Sequence, residues 1–412
     1  MDKRNRIPYN TNKKNKMKNI MGIIDDSFEN TGLIKVPNTL ERMGSSFGCH
    51  LINLVNQEKK NFYHAGKLTN FREHLVIQAP SGFCKTVLMD FFLDQQYGLF
   101  SACPFPTSVE ATFTQESWMG SILKDPDTGL PCATDGVLER YKHGIIGADE
   151  YARFKTMAEN PGDANDVVYL LKALDGNRVG KNMAYDKIEI DGICMTFWCG
   201  LRPTSLRFTS GLGRRFSYQV YFPTWEEAKA FKEATIEGRA DKAIRHNDRE
   251  QLRDQVYEFF KVANECTEIN TSDTYEFLKA NKLIPHFDIN HYKRMAIGWS
   301  VINETFPEVK LDNQMVELFK DEFESRRIVR NSPIEECILR VIEGEERGFE
   351  KKFFYAFMDN YYQIPKPQVK AIIRDLRMMG RLEETNGHFR IPDEEIIERQ
   401  EEKETIDEYI TI

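Results

Sequence analysis

Apolar residues in this chain follow two rhythms. Up to about Thr224, short apolar and β-branched runs alternate with amphipathic helical stretches. The clearest runs are Leu75-Val-Ile-Gln78, Gly144-Ile-Ile-Gly147 and Ile193-Cys-Met-Thr-Phe-Trp198. Each ends in turn or polar residues, the pattern of buried parallel strands. From Trp225 to about Arg330 only helical spacing remains, clearest in Gln255–Ala263 and Tyr292–Ile302. A third unit opens at Asn331-Ser-Pro333, with Ser332 placed to cap a helix and Pro333 at its first position. Its spacing predicts helices over Ile334–Glu343, Glu350–Tyr361 and Lys366–Met379, with Leu339, Phe353, Phe357, Ile372 and Leu376 in their core. A hairpin follows over Arg381–Ile391, turning at Asn386-Gly387, a type I′ signal. The expected divisions are a disordered basic leader at 1–30, a parallel-sheet α/β domain at 31–224, a helical region at 225–330, the third unit at 331–392 and an acidic tail at 393–412.

Composition narrows this picture. Of 412 residues, 41% are hydrophobic and 29% charged, as in ordinary globular proteins. No run approaches the ~20 apolar residues needed to span a bilayer, and the polar N-terminus (Lys3, Arg4, Arg6, Lys13, Lys14, Lys16, Lys18) has no apolar signal core. The eight cysteines, at 49, 84, 103, 132, 194, 199, 266 and 337, form no C-x-x-C pair. Zinc and a disulfide framework are therefore not expected, and reduced thiols in a cytoplasmic protein with no membrane contact are. The net charge of −8 does not itself advertise nucleic acid, but the acidic stretch Asp393–Glu408 can mask a basic patch elsewhere.

Two segments carry candidate chemistry. Ala79-Pro-Ser-Gly-Phe-Cys-Lys-Thr86 lies between a strand and a helix, which is the phosphate-loop context. In the turn that Pro80 opens, backbone N–H groups of Ser81 to Thr86 and the helix start can converge on phosphate; Lys85 can reach the β- and γ-phosphates and Thr86 can hold Mg²⁺. Ala79 and Cys84 stand where the usual pattern has glycine, which is costly only where φ must be positive. Downstream, Gly144-Ile-Ile-Gly-Ala-Asp-Glu150 is an apolar run ending in two acids. Asp149 would join the Mg²⁺ shell and Glu150 would orient or deprotonate the attacking water. ATP and Mg²⁺ are the expected cofactors. Arg214 and Arg215, in Ser210-Gly-Leu-Gly-Arg-Arg-Phe216, suit delivery of positive charge to a neighbouring subunit's nucleotide.

The order of these motifs resembles an AAA+ ATPase of the MCM replicative-helicase type, over roughly residues 45 to 330. Cys84-Lys85-Thr86 is similar to that family's small residue before the lysine, and Ser210–Phe216 to its S-R-F motif. The resemblance implies an arginine finger at Arg215 with Arg214 beside it and a sensor-2 arginine at Arg294 in a helical lid. It also implies a channel hairpin over Lys181 to Ile190, after a helix at Leu170–Arg178, with Lys181 and Lys187 on DNA. Arg202 departs from the pattern, standing where sensor 1 is usually Asn, and no segment resembles the full helicase's N-terminal DNA- and zinc-binding region.

The third unit has winged-helix order. Its third helix offers Lys366, Gln368, Lys370, Arg374 and Arg377 to a major groove or to phosphates, and the wing adds Arg381, His388 and Arg390. Such a unit can equally serve protein contacts. The expected function is an oligomeric, ring-forming ATPase that works on DNA as a replicative helicase, with replication proteins as possible partners. An origin-recognition-type initiator using ATP as a switch is the alternative, and a nucleotide-dependent transcription regulator or protein remodeller is a third.

Overall fold

The computed structural model describes residues 18–59, 63–64, 70–83, 85–110, 115–124, 128, 130–149, 164–182, 187–203, 214–237, 243–330, 332–345 and 347–410. At its centre is a five-stranded parallel sheet built from β1 (His74–Gln78), β2 (Thr107–Glu110), β3 (Ile145–Ala148), β6 (Thr196–Leu201) and β7 (Phe216–Val220). A hairpin, β4 (Val179–Asn182) with β5 (Lys187–Ile190), stands apart from it. The sheet order is β7-β1-β6-β3-β2. The strands at 75–78 and 144–147 lie where their apolar runs predict. β6 instead begins at Thr196, because Ile193 to Met195 are buried outside any sheet. Apolar content alone does not separate buried coil from strand.

Both faces of the sheet are covered, which explains the continuous apolar runs. Leu75, Ile77, Ile145 and Trp198 pack under α1 (Ile20–Thr31), α2 (Thr39–Lys59) and α3 (Lys85–Leu93). Val76, Ile146, Phe197 and Cys199 pack on the other side against Leu170, Ala173 and Leu174 of α4 (Ala164–Leu174).

The expected disordered leader needs correction. Asn19 caps α1, its Oδ1 accepting from the Gly22 N–H at 2.8 Å, and Gly32 closes the helix at φ 75°. Ile20, Ile23, Ile24 and Phe28 are buried. Their helical spacing outweighs the basic residues before them; residues 1–17 lie outside the described set.

The helical region begins as predicted. Thr224 and Glu227 form a reciprocal capping box for α5 (Trp225–Ile236). After α6 (His246–Glu265) come α7 (Ile289–Ile302) and α8 (Asn313–Arg330). These are not separate from the sheet: Tyr292, Met295 and Trp299 of α7 and Leu318 and Phe319 of α8 share one core with Leu75 and Ile77. α7 lies directly on α2, close enough that a Cβ on Gly48 would overlap the Gly298 carbonyl.

β7 is an edge strand, and side chains seal its outer backbone. Ser325 Oγ accepts from Val220 N at 3.1 Å, Glu322 Oε2 from Tyr218 N at 3.0 Å, and Arg326 donates to Phe216 O at 2.7 Å. Arg42 of α2 donates to Tyr218 O and to Glu322. Glu322 is held ionised chiefly by Arg42 and Arg326, which outweigh its burial. A covered edge cannot recruit another strand.

The C-terminal unit has three helices, α9 (Pro333–Glu343), α10 (Lys351–Asn360) and α11 (Lys366–Met378), and a three-stranded antiparallel sheet. Its strands are β8 (Phe349–Glu350), β9 (Glu383–Thr385) and β10 (His388–Arg390), with Asn386 and Gly387 at φ 54° and 78° in the turn. The acidic stretch forms α12 (Asp393–Tyr409). Leu339, Phe357 and Leu376 are buried as expected, but Phe353 is 60% exposed, since α10 buries Phe354, Tyr355, Phe357 and Met358 instead. Among the described residues no helix is long and apolar enough to cross a membrane.

Two stability predictions follow from this packing. Gly48→Ala forces α2 off α7 and is expected to cost at least about 2 kcal/mol, read from the urea midpoint; an unchanged midpoint refutes the close crossing. The second concerns pH. Burial lowers His50 and His74 to about 3 and His291 well below its ordinary value, while burial raises Glu73 to about 8 and Asp321 to about 7. Below about pH 6.5 the unfolded histidines take up protons that the folded ones refuse, so acid destabilises the fold. From about pH 4.5 to 8 the two acids act in the opposite sense, because the folded state keeps protons that the unfolded state releases. Three histidines outweigh two acids below pH 6.5, and the acids act alone above it. Stability should therefore peak near about pH 6.5 and fall on either side; a midpoint that climbs steadily to about pH 8 contradicts these assignments.

Candidate functional site

The strand order sets where chemistry can gather. From β1 the chain leads to β2 at one edge of the sheet, and from β6 it leads the opposite way to β7. The connections thus leave β1 and β6 toward opposite edges of the sheet, and the carboxyl ends of strands at such a point form a crevice that binds ligands. The phosphate-loop segment follows β1, and Asp149 follows β3, the strand on the other side of β6.

The loop solves its missing-glycine problem simply. Gly82 takes the positive φ of 81°, with nothing within 4 Å of a Cβ built there, while Ala79 is not among the described residues with positive φ. Pro80 and Phe83 are buried, Ser81 is half-buried and Gly82 is exposed. Cys84 lies outside the described residues. Lys85 opens α3 and is 5% exposed; its Nζ donates to the carbonyls of Ala79 at 2.8 Å and Pro80 at 2.6 Å. Those bonds hold the ammonium across the turn.

Thr86 Oγ1 donates to Asp149 Oδ2 at 2.5 Å, joining the loop strand to the acid strand. Asp149 Oδ1 is buried with no hydrogen-bond partner. Burial and the nearby Asp94 and Asp149 carboxylates push the Asp90 carboxyl upward. A hydroxyl, a carboxylate with an unsatisfied oxygen and a surplus of negative charge suit a hard cation such as Mg²⁺. Among the described residues no three His, Cys, Asp or Glu cluster as a metal cage. Glu150, the expected base, lies outside the described residues.

Gly200 lies between these groups and was not foreseen. A Cβ there would sit 3.4 Å from Asp149 Oδ1 and 3.5 Å from Lys85 Cβ. Glycine inside a strand commonly marks such an approach, so Trp198-Cys-Gly200 carried a usable signal.

The remaining site residues divide. Arg215 immediately precedes β7, and Phe216 pairs with His74 at the amino end of β1. It is therefore roughly 15–20 Å from the loop at about 3.3 Å per residue. Its guanidinium is fixed to Asp175, at the end of α4, through Nε at 2.7 Å and Nη2 at 2.6 Å. Arg214 is exposed, and its carbonyl accepts from His291 Nε2 at 2.6 Å. Arg294 lies at the same far edge: Nε donates to Asn70 O at 3.3 Å. Like Arg215, Arg294, the expected sensor-2 residue, therefore lies away from its own subunit's loop, because α7 packs on α2 and points this arginine to the amino end of the sheet.

The hairpin exists where expected, with Lys181 opposite Ile188 and Lys187 opposite Asn182. Lys187 pairs with Glu189, and Arg178 with Glu189 and Asp191. In the C-terminal unit Lys366, Gln368, Lys370, Arg374, Arg377 and Arg390 are all exposed. Arg374 contacts Asp375 and Arg377 contacts Glu384, while Arg390 donates to the Arg347 carbonyl. The chain matches no protein-family model.

Gly200 gives the local test. Gly200→Ala fits at ordinary contact distances and should leave pyrophosphate binding, measured by calorimetry, within about two-fold. Gly200→Leu fills the space between lysine and aspartate and should weaken binding by at least about ten-fold at unchanged folding. Equal binding by both variants contradicts the geometry.

Proposed function

We propose that this chain is an ATP hydrolase of the AAA+ type that assembles into an oligomer, in the manner of a replicative helicase, and couples hydrolysis to work on DNA. The observation that carries the reading is the Thr86–Asp149 hydrogen bond at the strand-order reversal, with Asp149 Oδ1 left unsatisfied beside it. In this reading the N–H groups from Ser81 to Thr86, beyond Pro80, seat the β-phosphate, and Lys85 neutralises the outer phosphates. Mg²⁺ held by Thr86 and Asp149 would offset charge on the β- and γ-oxygens. Glu150, next in sequence to Asp149, orients the water.

Distance supports the oligomer. Arg214 and Arg215 are too far from their own subunit's loop to reach its γ-phosphate, whereas an arginine at a subunit's edge can serve a neighbour. The exposed basic row of α11, at Lys366, Lys370, Arg374 and Arg377, supports DNA as partner, with a winged-helix role for the C-terminal unit. One observation favours the initiator as second reading: Lys187 of the hairpin already pairs with Glu189, whereas Lys366 and Lys370 of α11 are exposed and make no ion pair among the described residues.

Lys85→Ala is expected to abolish nucleotide binding. Arg215→Ala should bind ATP yet hydrolyse at least about 10³-fold more slowly, and mixing it with Lys85→Ala subunits should restore turnover. Asp175→Asn breaks the same ion pair and should retain hydrolysis, which separates lost chemistry from lost packing. Full turnover by Arg215→Ala overturns the trans assignment, and absence of DNA affinity at low salt overturns both DNA readings.

A further inference from the structure

A loop that wraps phosphate with its backbone gains from small side chains, which let the chain approach its ligand. Phe83 is the one aromatic residue between Ala79 and Thr86. Its side chain is buried, at 3% exposure, while Gly82 beside it stays open. The ring meets three others from later parts of the chain. Phe231 of α5 lies at 5.2 Å, Tyr361, just past α10, at 6.1 Å, and Tyr221, just past β7, at 6.3 Å. All three separations are those of attractive aromatic pairs. Ala79, at the start of the loop, is buried in the same core, together with Tyr362 and Ile364 of the C-terminal unit.

That unit is firmly seated beside the loop. Tyr362 Oη donates to the Pro223 carbonyl at 2.8 Å and Arg340 Nε to the Phe222 carbonyl at 3.0 Å. Arg202, one residue beyond β6, donates to the side-chain carbonyl of Gln363. Trp225 of α5 packs on Phe357 of α10 at 5.4 Å. Phe83 thus inserts into a junction between the sheet, α5 and the C-terminal unit. Lys85 also spans the turn, through the Ala79 and Pro80 carbonyls, but reaching the outer phosphates draws its ammonium off them. The Phe83 ring lies in an apolar core, so its hold on the loop persists when Lys85 turns to a ligand.

Resting on the ATPase reading above, we propose that Phe83 is a positioning residue for the β-phosphate, and that the C-terminal unit shapes the phosphate loop through Tyr361. A backbone already in place need not be ordered by its ligand, and the entropy saved appears as affinity. The nucleotide site is then no property of the parallel-sheet domain alone. Its loop is held open to phosphate on one side and anchored in the C-terminal core on the other.

The test is calorimetry on the full chain with Mg²⁺ and either ADP or a non-hydrolysable ATP analogue, well below each variant's thermal midpoint. Phe83→Ala should weaken both ligands at least about ten-fold and to the same extent, since both carry the β-phosphate. Phe83→Leu should recover part of the loss. Tyr361→Ala, which touches no phosphate, should weaken both about five-fold, and Tyr361→Phe should bind as the wild type does. Because Tyr361 acts through Phe83, the double variant should bind no more weakly than Phe83→Ala alone. Should Phe83→Ala fail to fold, Phe83→Leu takes its place in the cycle, and half-buried Tyr361 still decides the matter. Wild-type affinity in Tyr361→Ala overturns the inference. So do losses that multiply in the double variant, or a loss confined to the triphosphate. If the wild type binds neither nucleotide, the ATPase reading fails with it. If binding depends on Lys85 but not on Phe83 and Tyr361, only this inference fails.

Discussion

The candidate site depends on one constraint, the fixed parallel register of β1, β6 and β3. Leu75 pairs with Trp198, and Trp198 with Gly147, so the three carboxyl ends emerge side by side. A shift of one residue along β6 would turn Gly200 away from the site and point Leu201, now buried in the opposite face, toward Lys85 and Asp149. The register is in turn held by apolar side chains packed on both faces and by the helices that cover the sheet. The geometry of the candidate site is thus a by-product of core packing.

The two ends of the sheet are built for different work. The carboxyl end has an open loop, an unsatisfied carboxylate oxygen and the docked C-terminal link. At the amino end Arg215 meets Asp175 and His291 donates to the Arg214 carbonyl. In the proposed oligomer, these contacts hold Arg214 and Arg215 in place while nucleotide comes and goes at the other end of each subunit. The edge strand β7 needs no partner strand, because Glu322, Ser325, Arg326 and Arg42 already bond its outer backbone. Subunits would therefore meet through side chains rather than by sheet extension.

The sequence carried the parts of this fold that repeat a local rule. Buried parallel strands are continuous apolar runs, so β1 and β3 were legible; amphipathic spacing marked α7 and α11, and Asn386-Gly387 marked its turn. The helical spacing of Ile20, Ile23, Ile24 and Phe28 is masked by the seven basic residues that precede α1. Phe353, one turn before the buried Phe357, stands at the exposed start of α10, whose buried stripe runs through Phe354, Phe357 and Met358. For the site, Lys85, Thr86 and Asp149 could be paired in advance, since the first two are adjacent and the third ends an apolar run. Which end of the sheet Arg215 and Arg294 would occupy could not, because chain order does not say whether a residue precedes or follows its strand in space. Gln363 left no local signal at all; it reaches Arg202 only through the docking of two units 161 positions apart in the chain.

In the proposed ATPase, phosphate and a hard cation share the space bounded by Lys85, Thr86 and Asp149. Mn²⁺ substituted for Mg²⁺ makes that space visible by pulsed electron paramagnetic resonance. With a non-hydrolysable ATP analogue bound, ³¹P hyperfine coupling to the protein-held Mn²⁺ is expected, and its loss in Asp149→Asn at unchanged folding. A nucleotide complex with no ³¹P coupling, or the same spectrum in Asp149→Asn, would contradict it.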